Sequence, residues 1–480
     1  MTRLLKTVLL SLPLLAFGNS QSQKDPICEE IRQALGNSSA LFYPDIGDAE
    51  FDKGVYHFYS SSSEASKCVV EPATSTDVGK VLRIVGRTKT KFAVKSGGHA
   101  YNLGHSSTPG VQIYMGRFSG IELNATAQTV DVGTGLIWDD VYRALDPHDV
   151  SVIGGRVTGV GVGGVGLGGG YSWKTNQYGL AIDSIVAYEL VKPDGSVVRV
   201  TSSDRDLFFA LKGGFNNFGV VTKFTLKTYP QTQVWGGILT FLPNATQELT
   251  NATASFFAEV SDPKAALISN YIYASGMLFY DGPTPPKDIF ERFTRIPSLT
   301  QNVSTLSYVD HFFAVSANVN ATAGIRSKSS TISLTALTTD ILDVVVSELQ
   351  YWGEKLGDNT TFFAYNAEPF IPSAYSHNIS ETAYPSVRSP ALLPFEIEFG
   401  WTDPAKDSAF FDAFKQTTAK INAAAIQQGQ KIADLPVYPN YALQDTPLQL
   451  IYGDNLPRLK DIKAKIDPSN VMGLAGGFKL

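Results

Sequence analysis

The chain has 480 residues, with 39 Lys and Arg against 45 Asp and Glu, a formal net charge of −6, and 43% apolar residues. That length exceeds what one hydrophobic core ordinarily serves, so two lobes are expected. The apolar content excludes a disordered chain, and a pI near 5.6 without any basic run excludes a nucleic-acid binder.

In chain order, the first stretch, "MTRLLKTVLLSLPLLAFGNSQSQ", places Arg3 and Lys6 ahead of a short apolar run from Thr7 to Phe17 and then small polar residues. This is the three-part layout of a secretory signal peptide, assigned to residues 1–20, and it is too short to span a membrane. Two further features suit export. The only cysteines are Cys28 and Cys68, which are expected to form one disulfide in an oxidising compartment. Eight N-x-S/T sequons, at Asn37, Asn124, Asn244, Asn251, Asn302, Asn320, Asn359 and Asn378, predict surface N-glycans. None falls between residues 125 and 243.

Residues 69–230 alternate short apolar segments with turns. "KFAVKSGG", "GVQIYMG", "QTVDVGTG" and "VVTKFTLKTYP" read as strands. "IVAYELVKPDGSVVRV" reads as a hairpin turning at Pro193-Asp194-Gly195. Helices are predicted over Thr76–Thr88, capped by Ser75 or Thr76, and over Ile137–Leu145. From about 236 the character changes. Helical runs ("TDILDVVVSELQYWGEKL", "SAFFDAFKQTTAKINAAAIQQGQ") alternate with strand-like ones ("PFEIEFGW"), which predicts a second mixed lobe to about 430. A helix from Asn455 to Ile466, ended by Asp467-Pro468, belongs to a distinct last segment.

Residues 154–170, "GGRVTGVGVGGVGLGGG", hold ten glycines. The pattern G-x-G-x-x-G occurs twice within them, and Asp183 lies about twenty residues on, as in a Rossmann unit. Such a unit must open a helix, however, and the glycine content makes this poor helix material. The same glycines expose backbone N–H groups that suit a pyrophosphate or a flat ring pressed against the chain. The Val and Leu interspersed among them predict a packed run rather than a flexible linker. The six histidines show no paired metal spacing, and no metal is expected.

Three stretches, "KSGGHAYNLGHSS" (95–107), "GVGVGGVGLGGGYSWKTNQYGLAIDSIVAYELVKPDG" (159–195) and "DLFFALKGGFNNFGVVTKFTLKTYP" (206–230), together with "YPNYALQD" and "YGDNLPRLKDIKAKIDPSNV" near the end, resemble one family. It is that of the secreted FAD-linked oxidases of the vanillyl-alcohol-oxidase type (PCMH-type FAD-binding domain), in the berberine-bridge-enzyme-like branch, and of fungal character. The resemblance covers essentially the whole mature chain and is weakest in the second lobe. It implies a two-lobed α+β fold: an FAD-binding lobe of two α/β subdomains over 64–235, a substrate lobe over 236–430 whose antiparallel sheet roofs the flavin, and a segment over 431–480 that returns to the FAD lobe.

The resemblance also implies site residues. Ser96, Gly97, Gly98 and His99 would wrap the FAD pyrophosphate, with His99 bonded to the flavin 8α carbon. Ala100, Asn102, Val160, Gly163, Gly164, Gly168, Tyr171, Val221 and Asn440 would complete the cofactor contacts. Many relatives bond the flavin a second time through a cysteine; Val157 stands at that position, so one covalent link is expected. Val160, beside the expected oxygen path, favours O2 as electron acceptor. Tyr441, after Asn440, would lie over the flavin face as the base, with Tyr438 in the same pocket. On "PFEIEFGW", Phe395, Ile397 and Phe399 alternate with Glu396 and Glu398, so one face packs and the other presents two carboxylates; the resemblance implies that Glu396 or Glu398, with Glu398 preferred, assists Tyr441, the alternative being an ordinary solvated face. A tyrosine of ordinary pKa near 10 needs a neighbouring cation or strong hydrogen bond to act as a base. The expected function is a monomeric enzyme taking a hydride from an alcohol or a sugar hemiacetal and passing it to O2. A tailoring oxidase of a phenolic, alkaloid-like or terpenoid metabolite is the other enzymatic reading, and a non-catalytic flavin- or glycan-binding protein the third.

Overall fold

The computed structural model describes residues 24–45, 47–271, 274–317, 319–378 and 380–480; the expected signal peptide lies outside the described residues. Among them no helix is long and apolar enough to cross a membrane.

The N-terminal half is built on two sheets. The first has four strands in the order Ala40–Phe42, Cys68–Glu71, Val111–Tyr114, Phe92–Lys95, with the last three mutually parallel. Helix Ser75–Thr88 buries Val78, Val81, Leu82 and Val85 as the i, i+3, i+4 spacing dictates. Its N-cap is Thr74, one residue earlier than expected, whose side chain accepts from Asp77 N. The Cys28–Cys68 disulfide joins the first helix, Pro26–Ala34, to this sheet.

The second sheet is wholly antiparallel, in the order Ile121–Asn124, Thr129–Gly133, Val220–Lys227, Ile185–Val191, Val197–Thr201. The expected hairpin is present, with Val191 opposite Val197 and Gly195 N donating to Lys192 O. The glycine run departs from expectation, because a two-turn helix does form over Val162–Gly168. It is not a Rossmann helix, since no parallel strand pair flanks it.

The second half carries a seven-stranded antiparallel sheet, ordered Ser298–Leu306, Val234–Phe241, Ser275–Tyr280, Ala265–Asn270, Thr360–Ala367, Leu393–Trp401, Arg326–Leu334. Side chains alternate across it. Phe399 stacks on Phe414 at 4.4 Å and Trp401 on Phe410 at 4.6 Å, which fixes helix Asp407–Gln427 on one face; each such pair contributes roughly 0.5–1.5 kcal/mol beyond its buried area. Helix Thr339–Leu356 covers the same side. The opposite face, bearing Glu396 and Glu398, is left to roof a cavity.

After the last long helix the chain returns to the first half. Helix Leu456–Ile466 packs on Arg205–Leu211, Lys463 Nζ donates to Asn217 O, and Ala475 bridges to Phe92.

Candidate active site

A cavity of about 870 Å³ runs between the two glycine-containing loops and the roof strands, in the upper part of the ~300–1,000 Å³ range of cofactor and ligand sites. Every expected site residue except Gly168 lines it. Gly168 lies behind the wall. A Cβ there would fall 2.6 Å from Asn440 Oδ1, so this glycine makes room for Asn440 rather than touching a ligand.

The two loops meet backbone to backbone. A Cβ on Gly97 would come 2.6 Å from Gly161 N, and one on Gly161 would come 2.3 Å from Gly97 N. Gly164, by contrast, faces open space. Ser96 is engaged within the fold, donating to Thr134 O at 2.6 Å and accepting from Gly163 N at 3.2 Å; it ties the loops together instead of offering its hydroxyl to the cavity. Asn102 Nδ2 donates to Ala442 O at 2.8 Å, which locks the His99 loop to the segment carrying Tyr441. Asn102 Oδ1 and His99 Nε2 are both buried without a protein partner. Phe58 stacks on the His99 ring at 4.3 Å, and burial lowers its pKa to about 4. Burial favours the neutral imidazole, and His99 lines the cavity with one ring nitrogen lacking a protein partner. A nucleophilic orphan nitrogen and a side-chain-free cradle of backbone N–H groups fit FAD.

At the other side of the cavity stands a cluster that the sequence did not reveal as a unit. Tyr441 Oη donates to Glu368 Oε1 at 3.1 Å and accepts from Arg156 Nη2 at 2.9 Å. Arg156 and Glu368 form an ion pair at 2.7 Å, with side chains 7% and 1% exposed. The carboxylate in contact with Tyr441 is thus Glu368, not Glu398. Glu398 instead accepts from Tyr59 Oη at 2.9 Å and Ser327 Oγ at 3.2 Å, and Tyr59 stacks on Tyr101 at 4.5 Å. Glu396 accepts from Asn366 Nδ2 at 3.0 Å and Ser329 Oγ at 3.2 Å.

Burial, Glu398 and Glu368, in that order, push Glu396 up to about 8. Burial likewise raises Glu398, against hydrogen bonds that pull it down. Tyr441 is pushed well above its ordinary value by burial, then by Glu368 and Glu396, with Arg156 opposing them. Tyr438 lines the same cavity; its hydroxyl accepts from Asn440 Nδ2 at 2.8 Å, and its ring meets Tyr441 edge-on at 4.8 Å and Tyr171 at 4.7 Å. It supports Tyr441 by packing.

Arg156 follows Gly154-Gly155, which lie flat against the indole of Trp138 and could hold no Cβ there. Thr158 and Gly159 N are anchored by Asp139. Glu368 follows strand Thr360–Ala367 directly. A carboxylate ending an apolar strand, in "AEPF", was the available signal for it.

Residues 66–201 match the model of the FAD binding domain, and residues 437–475 that of the berberine and berberine-like segment. An uncharacterized FAD-linked oxidoreductase of Arthroderma benhamiae is 34% identical over 462 residues, covering 91% of this chain and 92% of the relative. The chain belongs to the FAD-linked oxidoreductases of the berberine-like branch. It is also 30% identical to the FAD-dependent monooxygenase tpcD of Cochliobolus heterostrophus, over 91% of this chain and 89% of that one. Among solved structures, the fold is shared with BBE-like 1 of Physcomitrella patens (TM-score 0.78, 19% identity, 92% of this chain and 97% of that one). It is shared too with a carbohydrate oxidase from Microdochium nivale (TM-score 0.77, 20% identity, 93% and 98%). This FAD-linked oxidoreductase therefore has the two-lobed α+β architecture of that fold family.

Proposed function

We propose that this FAD-linked oxidoreductase oxidises a hydroxyl-bearing carbon, with Tyr441 receiving the hydroxyl proton. The observation that carries this is the Tyr441 hydroxyl, hydrogen-bonded to Glu368 inside the same cavity as His99. FAD, when bound, supplies the acceptor for the hydride and passes the electrons to O2. The chain's own residues do the rest. Tyr441 binds the substrate hydroxyl and takes its proton as its own moves to Glu368, while the roof strands exclude water. Proton handling of this kind contributes roughly 10²–10⁴-fold to rate.

His99 is the proposed single covalent anchor, with Val157 leaving no thiol for a second, and Val160, which lines the cavity, is taken to stand beside the O2 path. We take residues 64–235, joined by helix Pro26–Ala34 and strand Ala40–Phe42 of the first sheet, as the cofactor lobe, 236–430 as the substrate lobe and 431–480 as the returning segment. We further take the protein to be a secreted, glycosylated monomer. Six sequon asparagines (Asn37, Asn124, Asn244, Asn251, Asn302 and Asn378) are exposed, which leaves them open to glycosylation.

Two substrate classes compete. Carbohydrates are one, as acted on by the Microdochium oxidase according to its name. A metabolite alcohol is the other. The roof side is mixed: Ile238, Ile268, Met277 and Phe362 stand beside Thr240, Ser275, Asn366, Glu396 and Glu398, so it suits either a hydroxyl-bearing metabolite with an apolar body or a sugar held by several polar partners. Screening sugars and metabolite alcohols for peroxide release decides between them, and turnover of neither would refute the oxidase reading.

A further inference from the structure

We propose that Arg156 is a positioning residue that holds Glu368 ionised and Tyr441 aligned, so that Glu368 can receive the proton relayed from the substrate hydroxyl. This rests on the reading of Tyr441 as proton acceptor. Arg156 touches both partners, at 2.9 Å from Tyr441 Oη and 2.7 Å from Glu368 Oε2, and its side chain is almost wholly buried. No other cation among the described residues forms an ion pair with Glu368.

The relay balances. The substrate O–H bond breaks, its electron pair becomes the second bond of the new C=O, and a Tyr441 Oη–H bond forms; the former Tyr441 O–H bond breaks and a Glu368 Oε1–H bond forms; the substrate C–H bond breaks with its pair leaving as hydride, for which FAD would be the acceptor. The relay requires Glu368 to start as a carboxylate. Burial drives that carboxyl toward its neutral form, and Arg156 is the largest opposing influence, followed by the Tyr441 hydrogen bond.

The surrounding groups make the demand sharper. From strand Leu393–Trp401, Glu396 faces Glu368 and is itself raised by it, with Glu398 beyond. From the returning segment, Tyr438 and Tyr441 face the pair, and Tyr142 and Tyr308 feel Arg156 from behind. These neighbours are acids or neutral phenols, so removing Arg156 leaves nothing cationic to keep Glu368 charged. An opposite charge at this range shifts a carboxyl by about 1–3 pH units.

Infrared difference spectroscopy reads the state of Glu368 without any substrate. The test is run in a Glu396→Gln background, because the raised Glu396 carboxyl itself responds to Glu368. In that flavin-loaded protein, a protonated-carboxyl band that Glu368→Gln removes should be absent at neutral pH. Adding Arg156→Met should make that band appear, and it should vanish only about 1–3 pH units higher than with Arg156 present; with Arg156→Lys it should stay absent. Such a band at neutral pH with Arg156 present would overturn the proposal even if Arg156→Met failed to fold, and so would an Arg156→Met spectrum unchanged from that background. Failure of the Tyr441 reading shows separately, as unimpaired flavin reduction in Tyr441→Phe.

Discussion

Replacing Tyr441 by Phe removes one oxygen and little else. The ring keeps its edge-on contact with Tyr438 at 4.8 Å, and Arg156 and Glu368 still pair at 2.7 Å. Each loses one hydrogen bond to the phenol, at 2.9 and 3.1 Å, but neither is left without a charged partner. The stability cost should therefore be about 1–3 kcal/mol rather than that of an orphaned buried charge. The catalytic cost should be much larger, about 10²–10⁴-fold in the rate of flavin reduction, or roughly 3–5 kcal/mol of activation free energy. Anaerobic stopped-flow absorbance, with an alcohol or sugar that reduces the wild-type flavin, measures the rate; thermal unfolding measures the stability. A reduction rate within a few-fold of wild type would refute the assignment of Tyr441. A large loss of stability with a proportionate loss of bound flavin would show that the rate change came from the fold.

Other expectations follow from the same geometry. Gly161→Ala would drive a methyl to 2.3 Å from Gly97 N; separating the loops should cost about 1–3 kcal/mol and sharply lower flavin content, so full flavin loading would contradict the loop contact. Glu396, with its pKa raised in the fold to about 8, contributes stability that is greatest below the ordinary carboxylate pKa and is lost as pH rises toward 8. Wild-type stability should accordingly decline across that window relative to Glu396→Gln, and parallel pH profiles of unfolding would contradict a raised pKa. Cys28 and Cys68 are 40 residues apart; by the loop-entropy relation, removing their bond should cost about 4 kcal/mol, and an unchanged unfolding midpoint under reduction would refute its role.

Much of the fold was legible because local chemistry and final packing agreed. The Pro193-Asp194-Gly195 turn allows the chain little besides a hairpin, and helix Thr339–Leu356 has the expected limits because its apolar positions repeat at helical spacing. Helix Val162–Gly168 was not legible, since its four glycines argue against a helix. It forms because glycine is what its neighbours leave room for: a Cβ on Gly166 would meet Phe224 at 2.8 Å and one on Gly168 would meet Asn440. Tertiary contact overrides propensity there.

The site divides the same way. His99 and Tyr441 sit in stretches whose residue order is distinctive. Arg156 and Glu368 are single residues that meet Tyr441 from 285 and 73 positions away, and no local pattern announces such a meeting. Glu396 and Glu398 were placed on one strand face correctly, but their partners come from Asn366, Ser327 and Tyr59 on other elements. Alternation gives the face a side chain occupies and says nothing of which neighbour waits there.

The most direct measurement is the visible spectrum of the purified protein before and after acid precipitation, followed by proteolysis of the washed pellet and mapping of the coloured peptide. Flavin absorbance retained in the pellet on one peptide containing His99, with none on the peptide containing Val157, is the predicted result. Flavin released wholly into the supernatant would contradict the covalent anchor, and a protein that takes up no FAD even on reconstitution would contradict the enzyme as proposed.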